Sequence, residues 1–310
     1  MVHGNSSTSP ELSEASVSLP QAGSTMTEFD ATKIAKICHM GTEHFQAQLQ
    51  STEHRLAILS KWDIPKGAKV LELGCGQGDC TAVLAELVSP NGHVTAVDPG
   101  SLDYGSPYTL GQAQNNISSS MLGPRITWKH ADPTEFLEND DGEYDIAVLV
   151  LCTWYFASPE VLSDMLLTLA KSKVDKVCIA EWSLSSAQAQ SHILATLAQA
   201  AVQYHKPSSS SNIRTLFSPA VLEASAIEAG LKLQSSSILI PAENVLDGLW
   251  EVQMVLGAEF MKDLDSFVKD DRQKALIKSM RDAVQASYEQ AGGRKQILSM
   301  DVWCATFAKA

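Results

Sequence analysis

The sequence predicts an α/β protein: a seven-stranded, mostly parallel sheet with helices on both faces and a helical lid. Three observations support this prediction. Apolar runs of strand length alternate with helical segments, a pattern that gives a parallel sheet covered on both faces. A glycine-rich turn joins the first of these runs to a helix. Two long helical stretches exceed what a connection between strands requires, and they can cover the carboxyl ends of the strands, where open α/β sheets bind ligands.

The strands are predicted from apolar runs that are bounded by turn residues. The first run ends at the glycine-rich turn that begins with Gly74, and the second lies between the turns at residues 89–92 and 98–100. In chain order, the predicted strands cover residues 70–73, 93–97, 126–130, 145–151, 176–180, 231–240 and 297–307.

The helices are predicted from apolar spacing together with start and stop signals. Ser158 and Ser218 each precede a proline, which is typical of a helix that starts with a serine N-cap and has proline in its first turn. Gly230 ends the second of these helices. The predicted helices cover residues 30–39, 43–60, 79–88, a segment that starts at residue 158, 185–204, 218–229 and 244–290, the last with internal turns.

We expect one folded domain, residues 25–310, after a disordered arm over the serine-rich residues 1–24. The arm has neither the apolar core of a signal peptide nor the arginines of a transit peptide. The expected segments of the domain are an N-terminal helical gate (25–62), a nucleotide-binding core (63–183), a cap helix and loop (184–217), more of the core (218–242), a helical lid insert (243–292) and the last strand (293–310).

Composition excludes several classes of function. The chain of 310 residues is 45% hydrophobic and 19% charged, with a formal net charge of −13. An acidic surface repels phosphate backbones, so we expect no nucleic-acid partner. The apolar runs are too short to cross a bilayer, and we expect no membrane partner. The six cysteines form no CxxC pair, which predicts no metal site and fits the reduced cytoplasm.

The turn after the first strand holds Gly74, Gly76 and Gly78. The dinucleotide fingerprint G-x-G-x-x-G needs its third glycine one residue later, and Asp79 occupies that position. A carboxylate at a helix start repels a pyrophosphate. Together with Glu72, Asp79 favours a ligand with an amine or another positive centre over a nicotinamide or flavin dinucleotide, which stays the alternative.

S-adenosylmethionine is a ligand of that kind. Its amine can meet a carboxylate, its carboxylate can meet N–H groups at the helix start, and glycines allow close approach of the backbone. Asp98 ends the second strand, where it can accept the two ribose hydroxyls. Asp132 follows the third strand, where it can accept from the adenine amino group. These residues therefore predict S-adenosylmethionine as the cofactor.

Three segments, VLELGCGQG, VTAVDPG and HADP, resemble signature regions of the class I S-adenosylmethionine-dependent methyltransferases. Longer tracts, such as GQGDCTAVLAELV and MDVWCATF, resemble fungal methyltransferase-like proteins of small-molecule metabolism. The resemblance covers residues 69–150 and implies a Rossmann-like sheet. It implies cofactor contacts at Glu72, Gly74, Gly76, Gly78, Asp98 and Asp132, and with them at the adjoining Cys75, Pro99, Gly100, Ala131, Pro133 and Leu151.

Aromatic and acidic residues follow the fourth and fifth strands. Trp154 and Tyr155 lie in the first of these loops, where they can stack on an aromatic substrate or instead close the top of the core. Glu181 and Trp182 follow the fifth strand and point to the same mouth. Glu181 can hold a substrate amine, act as a base, or pair with a lid residue such as Arg214.

Methyl transfer needs an aligned nucleophile, exclusion of water and, for some acceptors, removal of a proton. His39 lies at the break between the N-terminal helices, a region that the resemblance implies gates the cofactor, and it is a candidate base. Tyr155 is the second candidate catalytic residue. Trp250, in the lid insert, either closes the pocket or packs.

We therefore expect a monomer or homodimer that transfers a methyl group from S-adenosylmethionine to a small-molecule substrate. The acceptor is an oxygen or nitrogen atom of an aromatic or secondary-metabolite compound. Two alternatives keep the fold without the transfer: an enzyme that catalyses a cyclisation or isomerisation, and a regulatory protein. Accumulation of S-adenosylhomocysteine separates the transfer from both.

Overall fold

The structure is a computed structural model, and it describes residues 29–206, 208–209 and 211–309. The expected disordered arm over residues 1–24 lies outside these ranges. No helix within them is both long and apolar enough to cross a membrane.

Seven strands form a single sheet, as predicted. They are β1 (Lys69–Leu73), β2 (His93–Asp98), β3 (Ile126–His130), β4 (Tyr144–Val150), β5 (Val174–Trp182), β6 (Leu231–Leu239) and β7 (Val302–Lys309). The order across the sheet is β3-β2-β1-β4-β5-β7-β6. β7 runs antiparallel to both of its neighbours, and the remaining pairs are parallel. The carboxyl ends of β1, β2, β3, β4 and β5 therefore meet at one edge.

Helices connect the strands, pack on the sheet and form the lid. They are α1 (Ala31–Cys38), α2 (Phe45–Leu59), α3 (Asp79–Leu87), α4 (Leu110–Ser118), α5 (Pro133–Asn139), α6 (Pro159–Lys171), α7 (Gln190–Gln203), α8 (Pro219–Glu228), α9 (Asp247–Leu256), α10 (Ala258–Phe267) and α11 (Asp271–Gln290). The predicted helical stretch 244–290 is thus three helices separated by short breaks.

Two helices, α4 and α5, were not predicted from the sequence. α4 is rich in glutamine and asparagine, and its start is fixed by a capping box: Thr109 accepts the N–H of Gln112, whose side chain accepts the N–H of Thr109. α5 is short and begins with Pro133 after an Asp132 cap. α4 also buries Leu110, Ala113 and Ile117 at helical spacing, whereas α5, with seven residues, is too short to show a helical period.

The predicted start of the last strand at residue 297 is wrong, because β7 begins at Val302. The backbone before it is bonded elsewhere. The N–H of Met300 donates to Nδ1 of His192, and Ser299 bonds Val245 and Gly248 of the lid. Residues 297–301 therefore tie the lid to the sheet.

Two clusters of buried apolar side chains stabilise the described part of the chain. The larger one packs around the sheet. The smaller one lies between α7, α9, α10 and α11 and includes Val252, Leu264, Ile277 and Val284. Full burial of an apolar side chain of this size stabilises a fold by about 1.5–3 kcal/mol. The lid helices thus have a core of their own.

Candidate active site

The turn after β1 contains three glycines in the left-handed region of backbone conformation, where glycine is unstrained. Their φ angles are +81° at Gly74, +52° at Gly76 and +95° at Gly78. A Cβ at Gly74 would lie 2.7 Å from the Cβ of Cys152, and one at Gly78 would lie 2.5 Å from the Trp128 ring. No described atom lies within 4 Å of a Cβ at Gly76. Gly74 and Gly78 therefore allow tight packing, whereas Gly76 faces an open cleft.

Asp98, the last residue of β2, orients this turn. One of its carboxylate oxygens accepts the backbone N–H of Gly76 and the other accepts that of Gly100, both at 2.7 Å. Gln114 of α4 donates to the carbonyl oxygen of Gly76 at 2.8 Å. Gly76 is thus held at both its N–H and its C=O. Because a carboxylate oxygen can accept two hydrogen bonds, each oxygen of Asp98 keeps one acceptor site.

Glu72 lies beneath the turn. It is 2% exposed, and Thr81 of α3 donates its hydroxyl to Oε2 at 2.5 Å. Burial raises the pKa of Glu72 to about 7, because the charged form loses its hydration. This position ties β1 to α3, and it favours support of the glycine turn over the direct cofactor contact that the resemblance implies.

Asp132 lies at the end of β3, beside Asp98. The two strand ends are linked by the N–H of Ala131, which donates to the carbonyl oxygen of Asp98 at 3.2 Å. Asp132 caps α5, with Oδ1 accepting the N–H groups of Thr134 and Glu135. The residue is exposed, and its Oδ2 has no donor among the described residues. The other implied contacts near this edge are Cys75 and Pro133, which are buried, and Pro99, which is exposed.

A cavity of about 90 Å³ lies at the carboxyl ends of β4 and β5, and residues of α2, α7 and α9 contribute to its lining. Leu151, directly after β4, lines it with a φ of +50°. The next residue, Cys152, packs on Gly74, so the cavity adjoins the glycine turn. The cavity is markedly polar for a ligand pocket, which is usually lined mainly by apolar side chains. Its polar lining residues are Arg55, Glu181, His192, Asn212, Asp247 and Glu251.

Glu181 fixes the loop after β4. It is 1% exposed. Its Oε2 accepts the backbone N–H and the hydroxyl of Thr153, at 3.0 and 2.7 Å, and its Oε1 accepts the N–H of Trp182 at 3.0 Å. Arg214, the partner suggested by the sequence, instead donates to the carbonyl oxygen of Tyr155. Burial raises the pKa of Glu181 to about 7.

Three aromatic residues, Trp154, Tyr155 and Trp182, line the cavity. Trp154 is buried, and its ring N–H donates to the carbonyl oxygen of Phe217 at 2.9 Å. The Trp182 ring stacks on His54, with centroids 5.5 Å apart. Part of the Tyr155 ring is exposed, and desolvation raises the pKa of its hydroxyl above the ordinary value. Tyr155 therefore keeps its proton at neutral pH and is a poor general base.

His192, on α7, is a neutral hydrogen-bond donor at the cavity wall. It is 1% exposed, and burial lowers its pKa to about 3. Its Nδ1 accepts the N–H of Met300 at 3.0 Å, so in the neutral ring the proton is on Nε2. No described residue bonds Nε2, and His192 lines the cavity.

The lid helix α9 contributes two carboxylates, Asp247 and Glu251, which are four residues apart and therefore lie on one face. Glu251 accepts from the side-chain amides of Gln199 and Asn212, and burial raises its pKa to about 7. Burial also raises the pKa of Asp247, and the positive charge of Arg55 opposes that shift. The positive charge of Arg55 also opposes the raised pKa of Glu72, and Arg55 lines the same cavity as Asp247 and Glu251.

Comparison with known proteins identifies the family. A family model described as a methyltransferase domain matches residues 70–172. The methyltransferase phomM' of Diaporthe leptostromiformis is 27% identical over 320 residues, with 82% of both chains covered. The crystal structure of a cyclopropane-fatty-acyl-phospholipid synthase-like protein from Lactobacillus casei ATCC 334 has a TM-score of 0.78 and 31% identity, and the match covers 90% of this chain and 98% of that one. The chain belongs to the class I S-adenosylmethionine-dependent methyltransferases.

Two of the predicted catalytic and substrate-binding residues of this methyltransferase lie away from the cavity. His39 follows α1, where its ring lies edge-on to Phe45 at 5.4 Å, and it does not line the cavity. Trp250 is 45% exposed and lies outside the lining, on the outer side of α9. Its position on α9 beside Glu251 explains this, because adjacent helical residues point in different directions.

Sequence reasoning missed five polar residues of the cavity: Arg55, His192, Asn212, Asp247 and Glu251. Asp247 and Glu251 had a usable signal, since their spacing places two acids on one face of a helix in the lid. The other three carried none, because each lies in a different segment and the cavity exists only once α2, α7 and the loop before α8 pack together.

Proposed function

We propose that this chain transfers the methyl group of S-adenosylmethionine to an oxygen or nitrogen atom of a small molecule. The observation that carries the proposal is an oriented carboxylate, Asp98, and an open glycine, Gly76, beside a cavity at the ends of β4 and β5. Methyl transfer requires two adjacent binding sites, and the cleft can hold a nucleoside while the cavity can hold the second reactant.

The residues around the cleft fit the cofactor. Asp98 has one free acceptor site on each oxygen, which matches the two hydroxyls of a ribose. Asp132 has a free Oδ2 for an adenine amino group, and Gly76 leaves room for a ligand against the backbone. Arg55 forms no ion pair with a described residue, and we assign to it the cofactor's carboxylate. When bound, S-adenosylmethionine supplies a methyl group that its sulfonium already activates.

The protein's own part is to position the acceptor and exclude water. Trp154 and Trp182 are held rigidly at the cavity wall and can flank an aromatic or aliphatic part of the substrate. Glu181 holds the β4 loop that carries Trp154 and Tyr155. Such pre-positioned groups lower the entropic cost of bringing two reactants together.

Product analysis tests this function. The protein is incubated with S-adenosylmethionine and a library of phenols, amines and carboxylic acids, and the mixture is analysed by mass spectrometry. We expect a product heavier than its substrate by one methylene, formed in equal amount with S-adenosylhomocysteine. Conversion of a substrate without S-adenosylhomocysteine would point to a cyclisation or isomerisation and contradict the proposal.

A further inference from the structure

The polar groups of the cavity differ in what remains free for a ligand. The carboxylates of Glu181 and Glu251 already accept hydrogen bonds from neighbouring residues. Asp247 is only partly buried, lines the cavity and accepts no hydrogen bond from another described residue. A polar group in a cavity is stabilised by a hydrogen-bond partner. Asp247 is therefore the cavity carboxylate with the most acceptor sites left for a ligand.

The position of Asp247 on α9 directs it into the cavity. Asp247 and Glu251 both line the cavity from one helix face, whereas Trp250 and Met254 are 45% and 48% exposed on another face. The acidic face of α9 thus lines the cavity, and the face with Trp250 and Met254 is exposed to solvent.

His192 offers the complementary group. The backbone N–H of Met300 donates to Nδ1 of His192, so Nε2 has the proton of the neutral ring and acts as a donor. His192 is almost completely buried, and its ring lies edge-on to the Trp182 ring, with centroids 5.2 Å apart. No described residue forms a hydrogen bond with Nε2. A ligand that fills the cavity with an oxygen lone pair facing His192 would satisfy this donor. An unmet donor and an unmet acceptor therefore face the same small space.

We propose that Asp247 and His192 bind the methyl acceptor as a small amine that carries an oxygen atom close to its nitrogen. The inference rests on the proposed function and specifies its substrate class. Asp247 accepts an N–H of the amine, and the Nε2–H of His192 donates to the oxygen. The cavity of about 90 Å³ limits the bound part to a few heavy atoms.

Charge favours an amine over a phenol or an acid. The cavity has three carboxyl groups, Glu181, Asp247 and Glu251, and one guanidinium, Arg55, which we assign to the cofactor. Burial raises the pKa of all three carboxyl groups, and a bound cation would lower these pKa values again, because a nearby opposite charge favours the ionised form. The cavity can therefore accommodate a cation and disfavours an anion. A protonated amine is the organic cation that also supplies N–H donors.

The proposed transfer balances as follows. The ammonium group gives one proton to the carboxylate of Asp247, which exposes the nitrogen lone pair. That lone pair forms the bond to the methyl carbon, and the carbon–sulfur bond breaks with its electron pair on sulfur. The products are a methylated ammonium group and neutral S-adenosylhomocysteine, and Asp247 then releases its proton to solvent.

Matched probes test the substrate class by binding. The protein is saturated with S-adenosylhomocysteine and titrated calorimetrically with ethanolamine against ethylene glycol, and with glycinamide against glycolamide. Each pair differs in amine versus hydroxyl. We expect the amines to bind at least about tenfold more tightly, which corresponds to about 1.4 kcal/mol. Equal affinities within the pairs, or no binding by either amine, would overturn the inference.

The variants Asp247→Asn and Asp271→Asn separate the site from general effects of charge. Each aspartate is the first residue of its helix, but Asp271 is exposed on α11. We expect Asp247→Asn to weaken ethanolamine binding about tenfold while affinity for S-adenosylhomocysteine stays unchanged, and Asp271→Asn to change neither. Unchanged ethanolamine affinity in Asp247→Asn would contradict the assignment.

His192→Asn tests the donor, because an asparagine oxygen can replace Nδ1 as acceptor for Met300 while no N–H replaces Nε2. We expect a melting temperature near that of the wild type. Ethanolamine should lose about tenfold in affinity, whereas ethylamine, which has no oxygen, should lose little. An equal loss for both amines would show that His192 has only a structural role. Failure of S-adenosylhomocysteine to bind would instead refute the proposed function, and this inference with it.

Discussion

Asp98→Ala is expected to weaken binding of S-adenosylhomocysteine by about 100-fold. Asp98 keeps one free acceptor site on each carboxylate oxygen, and we assign both sites to ribose hydroxyls. A hydrogen bond to a charged group contributes about 1.5–3 kcal/mol. Loss of two such bonds, taken at the lower end of that range, costs about 3 kcal/mol, which corresponds to about 100-fold in affinity.

The same substitution should also affect the free protein. It removes the acceptor of the Gly76 and Gly100 N–H groups, which now bond Asp98 at 2.7 Å. Both glycines are only partly buried, so water can replace part of the loss. We expect the free energy of unfolding to fall by about 1–2 kcal/mol, a change that leaves the chain folded.

Isothermal titration calorimetry with S-adenosylhomocysteine measures the effect on binding, and thermal unfolding checks the fold. Asp103→Ala is the matched control, because it removes the same charge from an exposed position in the following loop. An affinity of Asp98→Ala within about twofold of the wild type would refute the assignment of the ribose site, since less than about 0.4 kcal/mol would then depend on this carboxylate.

Three further predictions follow from the site. Gly78→Ala should lower the melting temperature much more than Gly76→Ala, because only at Gly78 does a Cβ meet the Trp128 ring at 2.5 Å; equal losses would contradict this packing. Glu181→Ala should release the loop around Thr153, because it removes the acceptor of two Thr153 hydrogen bonds. Limited proteolysis should then cleave this loop faster, and an unchanged cleavage pattern would contradict the prediction. Glu72 has a pKa of about 7 in the folded chain, against 4.5 for an ordinary glutamate. The folded chain therefore keeps a proton that the unfolded chain releases, and the resulting contribution to the free energy of unfolding is complete below pH 4.5 and lost as pH rises through 7. Glu72→Gln should therefore flatten the decline in stability from pH 5 to 8 by up to about 3 kcal/mol, and an unaltered pH profile would refute the shift.

The central sheet and the cofactor cleft were the most predictable features. β1 and β2 are short, mainly apolar runs that end at a glycine or an aspartate, so both their position and their chemically active end are local properties of the chain. The conformations of Gly74, Gly76 and Gly78 follow from residue type alone. Their division of roles does not, because it depends on where Cys152 and Trp128 pack.

The cavity was much less predictable. The sequence suggested that Glu181 meets a substrate, yet its oxygens accept hydrogen bonds from Trp182, the next residue in the chain, and from Thr153, which is adjacent only in the folded chain. Nothing in the sequence around His192 indicates that a backbone N–H more than a hundred residues away fixes its tautomer. Such partners come from packing of the lid, which local patterns do not specify.

The most direct test of the account is calorimetric titration of the purified protein with S-adenosylhomocysteine, with NADH titrated in parallel. We predict one S-adenosylhomocysteine bound per chain, a binding heat that is abolished or greatly reduced in Asp98→Ala, and no competition from NADH. Binding of NADH in the same cleft, with none of S-adenosylhomocysteine, would contradict the assignment of the cleft and the function built on it.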